Sequence, residues 1–253
     1  MDLTTAFDWV ELLAERFSVE IDEDRTIAFT SAIARFAVSL GEDIDSLGMR
    51  ARQHKLSAEE WGQVLHLATN HETRFFRYMP VMSLITNFAI ALPNPRILSV
   101  GCSTGEEVYS IATALIGANK VSFAVHGIDI SERCVQVAKA GVYRAHPDIG
   151  DSVSFISASG HRTFHMWLRD LCTFEQHNIV GDRKIGFERP DIIVTQNMLI
   201  YYRVETRHQI LAKLASMLPP GGHLITGPAE DARWKSAVVT RISNSNASVF
   251  QKV

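Results

Sequence analysis

The residues best suited to chemistry lie at the ends of two predicted strands. A glycine-bounded turn follows the first strand, and an acidic residue lies near the end of the second. The apolar run Ile97–Val100 leads into Gly101-Cys102-Ser103-Thr104-Gly105, and a second apolar run, Val121–Ile130, contains Asp129 near its end. Glycines let a ligand approach the backbone. An acid in this position can accept hydrogen bonds from both ribose hydroxyls. Strand, glycine turn, helix, strand and acid indicate the first half of a nucleotide-binding α/β sheet.

The charge of the turn argues against a phosphate ligand. A dinucleotide site has three glycines and a bare helix N-terminus that holds a pyrophosphate. Here Glu106 and Glu107 follow the turn, which suits the helix dipole but repels a phosphate. Ser103 and Thr104 each precede a glutamate by three residues, which predicts a capping box. An adenosine ligand with a cationic group, such as S-adenosylmethionine, fits this turn, and a structural turn without a ligand is the alternative.

Composition narrows the class of protein. The chain has 253 residues, 46% of them hydrophobic and 21% charged, enough for one large α/β domain and a small companion. Its formal charge of −3 argues against a general nucleic-acid binder, and no apolar run reaches the ~18 residues of a membrane span. The acidic start at Met1-Asp2-Leu3 does not fit a signal peptide, and the three spaced cysteines fit a reducing compartment. We therefore expect a cytoplasmic protein without membrane insertion or nucleic-acid binding.

The spacing of apolar residues predicts two domains and a linker. Helical periodicity extends to about residue 78, so residues 1–78 are predicted to form a helical domain, followed by a linker helix and loop over 79–95. From 96 to 253, strands and helices alternate, which indicates a parallel sheet with helices on both faces. The predicted strands are 97–100, 121–128, 191–195 and 223–226, and the predicted helices are 104–116, 131–140 and 204–218.

Residues 150–172 interrupt this alternation. Val153 and Phe155 alternate with serines, Ala158-Ser159-Gly160 predicts a turn, and a period of two continues over 163–168. We interpret the segment as a small antiparallel β insertion, either a partner-recognition element or a plain structural hairpin. His161 and His165 fall in predicted strand without a His-Glu-x-x-His frame, so no metal site is predicted.

Polar residues also end two later strands. Asn197 follows the strand 191–195, and Asn178 ends another predicted strand, at the edge where ligands of open α/β sheets bind. The Asn197 amide suits either an adenine or the methionine part of a ligand. Phe75 and Phe76, flanked by arginines, are explained from physics alone by core packing.

Together these motifs resemble the chemotaxis-receptor glutamate methyltransferase family (CheR type). The motifs are Asn-x-x-Thr-x-Phe-Phe-Arg at 70–77, Leu-Ser-x-Gly-Cys-Ser-Thr-Gly-Glu-Glu-x-Tyr-Ser-Ile-Ala at 98–112, Gly-Ile-Asp-Ile-Ser at 127–131 and Gln-Asn-x-Leu-Ile-Tyr-Tyr at 196–202. The resemblance runs from about residue 68 onward and is weak before it. It implies an α/β, Rossmann-like class I methyltransferase sheet with an N-terminal all-helical domain and a small antiparallel β insertion.

The resemblance also implies an activity and a set of site residues. The expected enzyme is a protein-glutamate O-methyltransferase that takes a methyl group from S-adenosylmethionine, releases S-adenosylhomocysteine and esterifies glutamates on chemoreceptor cytoplasmic helices. Arg77 and Tyr201 would flank the transferred methyl group. The implied cofactor-binding residues are Asn70, Thr73, Arg77, Gly101, Glu106, Asp129, Asn178, Ile179, Asn197 and Met198. The expected partner is a methyl-accepting chemoreceptor, and the chain is expected to be a monomer.

Two segments depart from the family pattern. Gln196 stands where an arginine is frequent, and Gly227-Pro228-Ala229-Glu230 stands where Gly-His-Ser-Glu is usual. Two alternatives therefore accompany the main prediction. One is a methyltransferase that acts on another protein or on a small molecule, and the other is a non-catalytic module that binds S-adenosylmethionine or S-adenosylhomocysteine.

Overall fold

The computed structural model describes residues 7–144 and 146–253, which divide into two compact units. The first unit comprises residues 7–70 and Tyr201–Arg203, and the second comprises His71–Ile200 and Val204–Val253. The chain thus leaves the second unit after Ile200 and returns to it at Val204. The acidic start of the chain and the first part of the predicted helical domain, residues 1–6, lie outside the described residues.

The first unit is helical. Its helices are α1 (Trp9–Phe17), α2 (Glu23–Ser39), α3 (Ile44–Arg52) and α4 (Ala58–Ala68). Asp8 and Asp43 accept backbone N–H groups at the starts of α1 and α3, and Ser57 and Glu60 form a reciprocal capping box at α4. These caps satisfy N–H groups that a helix leaves unpaired at its first turn.

A buried apolar stripe on each helix closes the core of this unit. The buried side chains include Leu13, Ile33, Leu47, Ala51 and Val64, which are fully inaccessible to solvent. Trp61 of α4 packs edge-on against Phe17 of α1. The unit is therefore held mainly by apolar burial.

The predicted helicity of residues 69–78 is wrong, because α4 ends at Ala68 and the following residues form a loop and turns. Phe76 has a φ of 51°, a left-handed conformation that a helix does not contain. Phe75 is buried against aromatic residues of the second unit, so its apolar character reflects packing there.

The second unit is built on a seven-stranded sheet and a separate three-stranded sheet. Its elements are α5 (Met79–Ile90), β1 (Arg96–Val100), α6 (Glu106–Gly117), β2 (Ala124–Asp129), α7 (Glu132–Ala140), β3 (Val142–Arg144), β4 (Ser154–Ile156), β5 (His161–Phe164), α8 (Met166–Arg169), β6 (Cys172–Gln176), β7 (Ile192–Thr195), α9 (Val204–Met217), β8 (His223–Thr226), β9 (Val239–Ile242) and β10 (Ser248–Lys252). A short 3₁₀ turn, Leu199–Tyr201, follows β7.

The large sheet has the order β6-β2-β1-β7-β8-β10-β9. In the described part of the chain, β10 pairs antiparallel with β8 and β9, and the other neighbouring strands of this sheet are parallel. In register, Val100 of β1 lies beside Ile128 of β2 on one side and Thr195 of β7 on the other. The carboxyl ends of β1, β2 and β7 therefore meet at one edge, where ligands of such sheets bind. The predicted α/β Rossmann-like sheet is confirmed.

The small sheet has the order β3-β5-β4 and is antiparallel throughout, as predicted for the insertion. The predicted continuation of strand past Phe164 is wrong, because Met166–Arg169 forms the short helix α8. Met166 is 75% exposed whereas Leu168 is fully buried. In a strand these two side chains would share one face, so their opposite exposures require the helix.

The predicted second strand begins too early. Val121 is 73% exposed, and regular pairing starts only at Ala124, where β2 enters the sheet between β1 and β6. In the described part of the chain, no helix has both the length and the apolarity needed to cross a membrane.

Candidate functional site

The turn between β1 and α6 is fixed by the neighbouring strand and by its two glycines. The N–H groups of Gly101 and Cys102 donate to the carbonyl of Ile128, at 2.9 and 3.0 Å. Gly101 and Gly105 have φ values of 80° and 96°, which favour glycine. A Cβ on Gly105 would also lie 2.7 Å from that of Ala138, so a side chain there would push α7 away.

Asp129 is held rigidly at the end of β2. Its Oδ2 accepts the N–H of Ser103 at 2.8 Å, and its Oδ1 accepts the N–H of Ser131 at 2.9 Å. Burial raises the pKa of this carboxyl, and the two backbone N–H groups oppose that shift. Each carboxylate oxygen retains acceptor capacity, so Asp129 has the chemistry to bind ribose hydroxyls.

Glu106 begins α6 beside this turn. Its Oε2 accepts the hydroxyl of Thr104 at 2.6 Å, and partial burial raises the pKa of the carboxyl while that hydrogen bond opposes the shift. With Asp129, it gives the turn a negative potential. This potential favours a ligand that carries an ammonium or sulfonium group and disfavours a phosphate.

The predicted capping box at α6 is wrong. Gly105 is the N-cap residue and has no side chain, which moves the start of the helix one or two residues beyond Ser103 and Thr104. Ser103 instead donates its hydroxyl to the carbonyl of His71 at 3.0 Å, and Thr104 bonds Glu106 only two residues later. The Ser-Thr pair thus connects the turn to its surroundings instead of capping the helix.

Glu107 faces away from the first glutamate and into the protein. Its Oε1 accepts the hydroxyl of Ser99 on β1 at 2.7 Å. Burial raises the pKa of Glu107 to about 7. The Ser99 hydrogen bond opposes this rise, the nearby Glu230 charge adds to it and the Arg77 charge reduces it. A glutamate with this pKa is partly protonated at neutral pH.

The segment 71–77 is attached to the turn and to α6. The carbonyl of His71 accepts Ser103, and the N–H of Phe76 donates to the hydroxyl of Ser110 at 2.9 Å. The segment carries Thr73 and Arg77, so both predicted cofactor residues are anchored beside the first turns of α6.

Aromatic packing secures the same segment. Phe75 lies edge-on to Tyr143, with a distance of 5.0 Å between the ring centroids. Its ring centroid lies 5.9 Å from that of Phe164. Tyr143 in turn donates its hydroxyl to the carbonyl of Thr104 at 2.6 Å. The interpretation of Phe75 as a core residue is confirmed, since it is 7% exposed.

The ends of β6 and β7 supply the two asparagines. Asn178 uses Oδ1 to accept the N–H of Val180 at 3.0 Å, and the adjacent Ile179 is buried with its carbonyl bonded to Lys213 at 2.9 Å. Asn197 is exposed and has a φ of 56°. These contacts fix two short loops at the carboxyl edge of the sheet.

Met198 closes over the glycine turn. A Cβ on Gly101 would lie 2.7 Å from Cγ and 2.8 Å from Cβ of Met198, so the Met198 side chain packs directly on the glycine backbone. The loop after β7 and the turn after β1 therefore form one continuous wall.

The structure places the predicted site residues in two groups. Thr73, Arg77, Gly101, Glu106, Asp129, Asn178, Ile179, Asn197 and Met198 belong to the second unit, at or attached to the carboxyl edge of its large sheet. Asn70 and Tyr201 belong to the helical unit. There the carbonyl of Tyr201 accepts the N–H of Glu20 at 2.8 Å, and the guanidinium of Arg25 lies 5.6 Å from the Tyr201 ring centroid.

Sequence reasoning missed the buried hydrogen bonds of Ser99, Glu107 and Glu230 in this region. The adjacent glutamates were visible, but the capping-box spacing accounted for both of them. Glu230 was visible only as the last residue of a segment that departs from the family pattern. Its contacts join positions 33 residues apart, which no local spacing reveals.

A cluster centred on Glu175 was also missed. Its carboxylate lies 3.6 Å from Nε2 of His126, 3.4 Å from Nδ1 of His177 and 2.9 Å from Arg183, and it accepts the N–H of Gly186 at 2.9 Å. Burial lowers the pKa of both histidines. The cluster supports the segment that carries Asn178.

The parallel order of the large sheet and the acidic glycine turn at its carboxyl edge define an α/β, Rossmann-like domain whose turn suits a cationic nucleoside ligand. Residues 71–248 match the family described as "CheR methyltransferase, SAM binding domain", and the chain belongs to this family. The family prediction and the predicted cofactor are confirmed. The negative charge and the acceptor oxygens of Asp129 and Glu106 fit that cofactor.

Curated relatives of the chain include several methyltransferases. It is 30% identical over 235 residues to the "Probable biofilm formation methyltransferase WspC" of Pseudomonas putida, covering 86% of this chain and 54% of that protein. Its identity to the corresponding protein of Pseudomonas aeruginosa is 33%, covering 63% of this chain and 41% of that protein. The chain thus spans about half the length of these two relatives. A "Chemotaxis protein methyltransferase" of Campylobacter jejuni is 30% identical, covering 66% of this chain and 67% of that protein.

Proposed function

We propose that the chain transfers the methyl group of S-adenosylmethionine to glutamate carboxylates on the cytoplasmic helices of chemoreceptors. The observation that carries the proposal is the acidic glycine turn of a CheR-family domain, in which Asp129 is fixed by two backbone N–H groups and Glu106 lies beside it. The Campylobacter jejuni relative, which is named a chemotaxis protein methyltransferase, supports a role in chemotaxis.

The proposed reaction requires no general acid–base catalysis by the protein. When bound, S-adenosylmethionine would supply an electrophilic methyl group on its sulfonium. A bond would form between the acceptor carboxylate oxygen and the methyl carbon as the carbon–sulfur bond breaks, which gives a methyl ester and the neutral thioether of S-adenosylhomocysteine. A glutamate carboxyl has a reference pKa of about 4.3 and is ionised at pH 7, so no general base is required. The protein's contribution is alignment, which contributes up to roughly 7–11 kcal/mol in favourable intramolecular models.

The roles of individual residues follow the family motifs and are part of the proposal. Arg77 and Tyr201 flank the transferred methyl group, Arg77 as an orienting cation and Tyr201 as a hydrogen-bond donor. Asp129 binds the ribose, and Glu106 binds the ammonium of the methionine part. Asn70, Thr73 and the two strand-end asparagines with their neighbours, Ile179 and Met198, complete the cofactor contacts.

Calorimetric titration with S-adenosylhomocysteine tests the cofactor site. We expect wild type to bind and Asp129→Ala to lose most of the affinity, because the ribose loses its acceptor. Asp148→Ala, which removes an exposed acid of the same unit, serves as the matched control. Absence of binding by wild type would overturn the proposal.

Transfer itself is tested with methyl-labelled cofactor and a chemoreceptor cytoplasmic fragment. Glutamyl methyl esters release methanol in mild base, so we expect base-labile label on the receptor. Base-stable label, or label on a different protein or small molecule, would support the alternative methyltransferase. Cofactor binding without transfer to any acceptor would support a non-catalytic binding module.

We also propose a cytoplasmic location and a monomeric state. Cys102, Cys134 and Cys172 are buried and in the thiol form, which supports a reducing compartment.

A further inference from the structure

The loop after β8 contains a buried carboxylate that none of the proposed cofactor contacts uses. Glu230 is 5% exposed, and its Oε2 accepts the N–H groups of Asn197 and Gly227, each at 2.9 Å. Burial raises the pKa of this carboxyl, and these two N–H groups, together with those of Leu199 and Met198, oppose the rise. One carboxylate thus serves as the acceptor for two loops.

The space around this carboxylate is closely fitted. A Cβ on Gly227 would lie 2.1 Å from the accepting oxygen of Glu230, so this position admits only glycine without rearrangement. Asn197 and Ala229 have φ values of 56° and 60°, conformations that need support from their surroundings. The other oxygen of Glu230, Oε1, is buried and has no hydrogen-bond partner among the described residues. The anchoring therefore depends on Oε2.

The anchored loop is the one that presents two predicted cofactor contacts. Asn197 donates its N–H directly to Glu230, and the next residue, Met198, packs on Gly101 of the glycine turn. Removal of the carboxylate would release Asn197 and Met198 together.

We propose that Glu230 is a positioning residue for the cofactor, which holds the loop 196–199 in the conformation that presents Asn197 and Met198. The inference rests on the proposed function, in which those two residues contact the adenosine. It also gives a role to the segment Gly227-Pro228-Ala229-Glu230, whose first and last residues form this contact despite the departure between them.

Titration of Glu230→Ala and Glu230→Gln with S-adenosylhomocysteine tests the inference. Gln keeps one carbonyl oxygen for the two N–H groups and places its amide nitrogen where Oε1 has no partner. We therefore expect Glu230→Gln to stay within about threefold of wild type and Glu230→Ala to bind about tenfold more weakly or worse. The KM for the cofactor should rise in Glu230→Ala with little change in kcat.

The adjacent Asp231 provides a matched control. Asp231 is 3% exposed and its carboxylate pairs with Arg241. The N–H groups of Asn197 and Gly227 donate to Glu230 and not to Asp231. Asp231→Asn should lower the melting temperature without changing the affinity for S-adenosylhomocysteine.

Hydrogen exchange of the ligand-free protein gives a readout that does not depend on the cofactor. The amide of Asn197 should be protected in wild type and Glu230→Gln and should exchange rapidly in Glu230→Ala. The Gly227 amide also donates to the carbonyl of Thr195 at 3.2 Å, so its protection should fall less. If the alanine variant does not fold, Glu230→Asp takes its place, because the shorter side chain withdraws the carboxylate from both amides. Unchanged affinity in folded Glu230→Ala, or in folded Glu230→Asp, would overturn this inference alone, whereas no binding by wild type would overturn the proposed function.

Discussion

Glu106 and Glu107 are adjacent in one helical turn, yet their surroundings give them different properties. Glu106 accepts a threonine hydroxyl at the rim of the turn, whereas Glu107 points inward and accepts the hydroxyl of Ser99. The first carboxylate is suited to a cationic ligand, and the second, with a pKa of about 7, titrates near neutral pH.

The role of Glu106 predicts a selective loss of affinity. In Glu106→Gln, we expect S-adenosylhomocysteine to bind about tenfold more weakly, because its ammonium loses a charged partner. Methylthioadenosine, which lacks the amino-acid part, should bind as it does to wild type. Titration calorimetry with both ligands checks this, with Glu132→Gln in the first turn of α7 as the control. An equal loss for both ligands would contradict the role.

The pKa of Glu107 predicts a pH-dependent stability. The folded state holds the proton more tightly than the ordinary pKa of 4.5 allows, so this group's contribution to stability falls as pH rises from 4.5 through about 7. Glu107→Gln removes the titration. Its melting temperature relative to wild type should therefore increase between pH 5 and pH 8, by about 3 °C or more.

Scanning calorimetry at the two pH values measures this difference. Glu188→Gln removes an exposed glutamate of the same unit and should show no such trend. A difference for Glu107→Gln that does not change with pH would mean that the carboxyl is not partly protonated in the native protein.

At the scale of elements, glycine conformation links the turn after β1 to the loop after β7. Gly101 and Gly221 have nearly equal φ values of 80° and 82°, but a Cβ on Gly101 meets Met198 whereas a Cβ on Gly221 has open space around it. The two alanine variants therefore carry similar backbone strain, and only Gly101→Ala displaces Met198. We expect Gly101→Ala to lose more stability than Gly221→Ala, and only Gly101→Ala to bind S-adenosylhomocysteine more than about tenfold more weakly. Equal binding by both would contradict a role for the wall that Met198 forms.

The attachment of segment 71–77 to α6 gives a second prediction at this scale. Ser110 is fully buried and accepts the N–H of Phe76. Ser110→Ala should expose that amide to hydrogen exchange and cost about 1 kcal/mol of unfolding free energy. The amides of α6 should keep their protection, as they should in the control Ser122→Ala, which changes an exposed serine. Continued protection of the Phe76 amide would show that aromatic packing alone holds the segment.

Elements with a strong local signal were predictable from the sequence. The run Ile192–Thr195 is buried throughout as expected, and α7 begins after the cap Ser131 and ends at Gly141 in a left-handed conformation. The prediction of a capping box at α6 is wrong because the N-cap residue is Gly105, which has no side chain. The predicted strand past Phe164 is wrong because alternating apolar residues do not distinguish a single turn of helix, here Met166–Arg169, from a strand.

Contacts between distant parts of the chain were not predictable in this way. The bond from Asn197 to Glu230 and the bond from Phe76 to Ser110 join positions more than thirty residues apart. Register and loop geometry create them, and neither leaves a local pattern in the sequence. The family motifs identified several predicted site residues, but they did not identify the supporting contacts of the buried carboxylates Glu107 and Glu230.

At the scale of the whole molecule, the exposed apolar side chains predict a monomer. Those most exposed among the described residues stand on separate elements: Ile27 and Val38 on α2, Val121 ahead of β2 and Met166 on α8. Scattered exposure of this kind is ordinary for a monomeric protein. Light scattering after size exclusion should give a single species near 28.2 kDa. A mass that doubles with concentration would contradict the prediction.

The assignment of Tyr201–Arg203 to the helical unit sets an order of events during translation. Glu20 pairs with this segment twice, through its N–H to the carbonyl of Tyr201 and through its carboxylate to Arg203 at 2.7 Å. Residues 71–200 must be synthesised between the two parts of that unit. At roughly 5–20 residues per second, the ribosome takes about 7 to 26 seconds to add them. The N-terminal helices are therefore synthesised before the last three residues of their unit, and the sheet is still incomplete when those three residues are added.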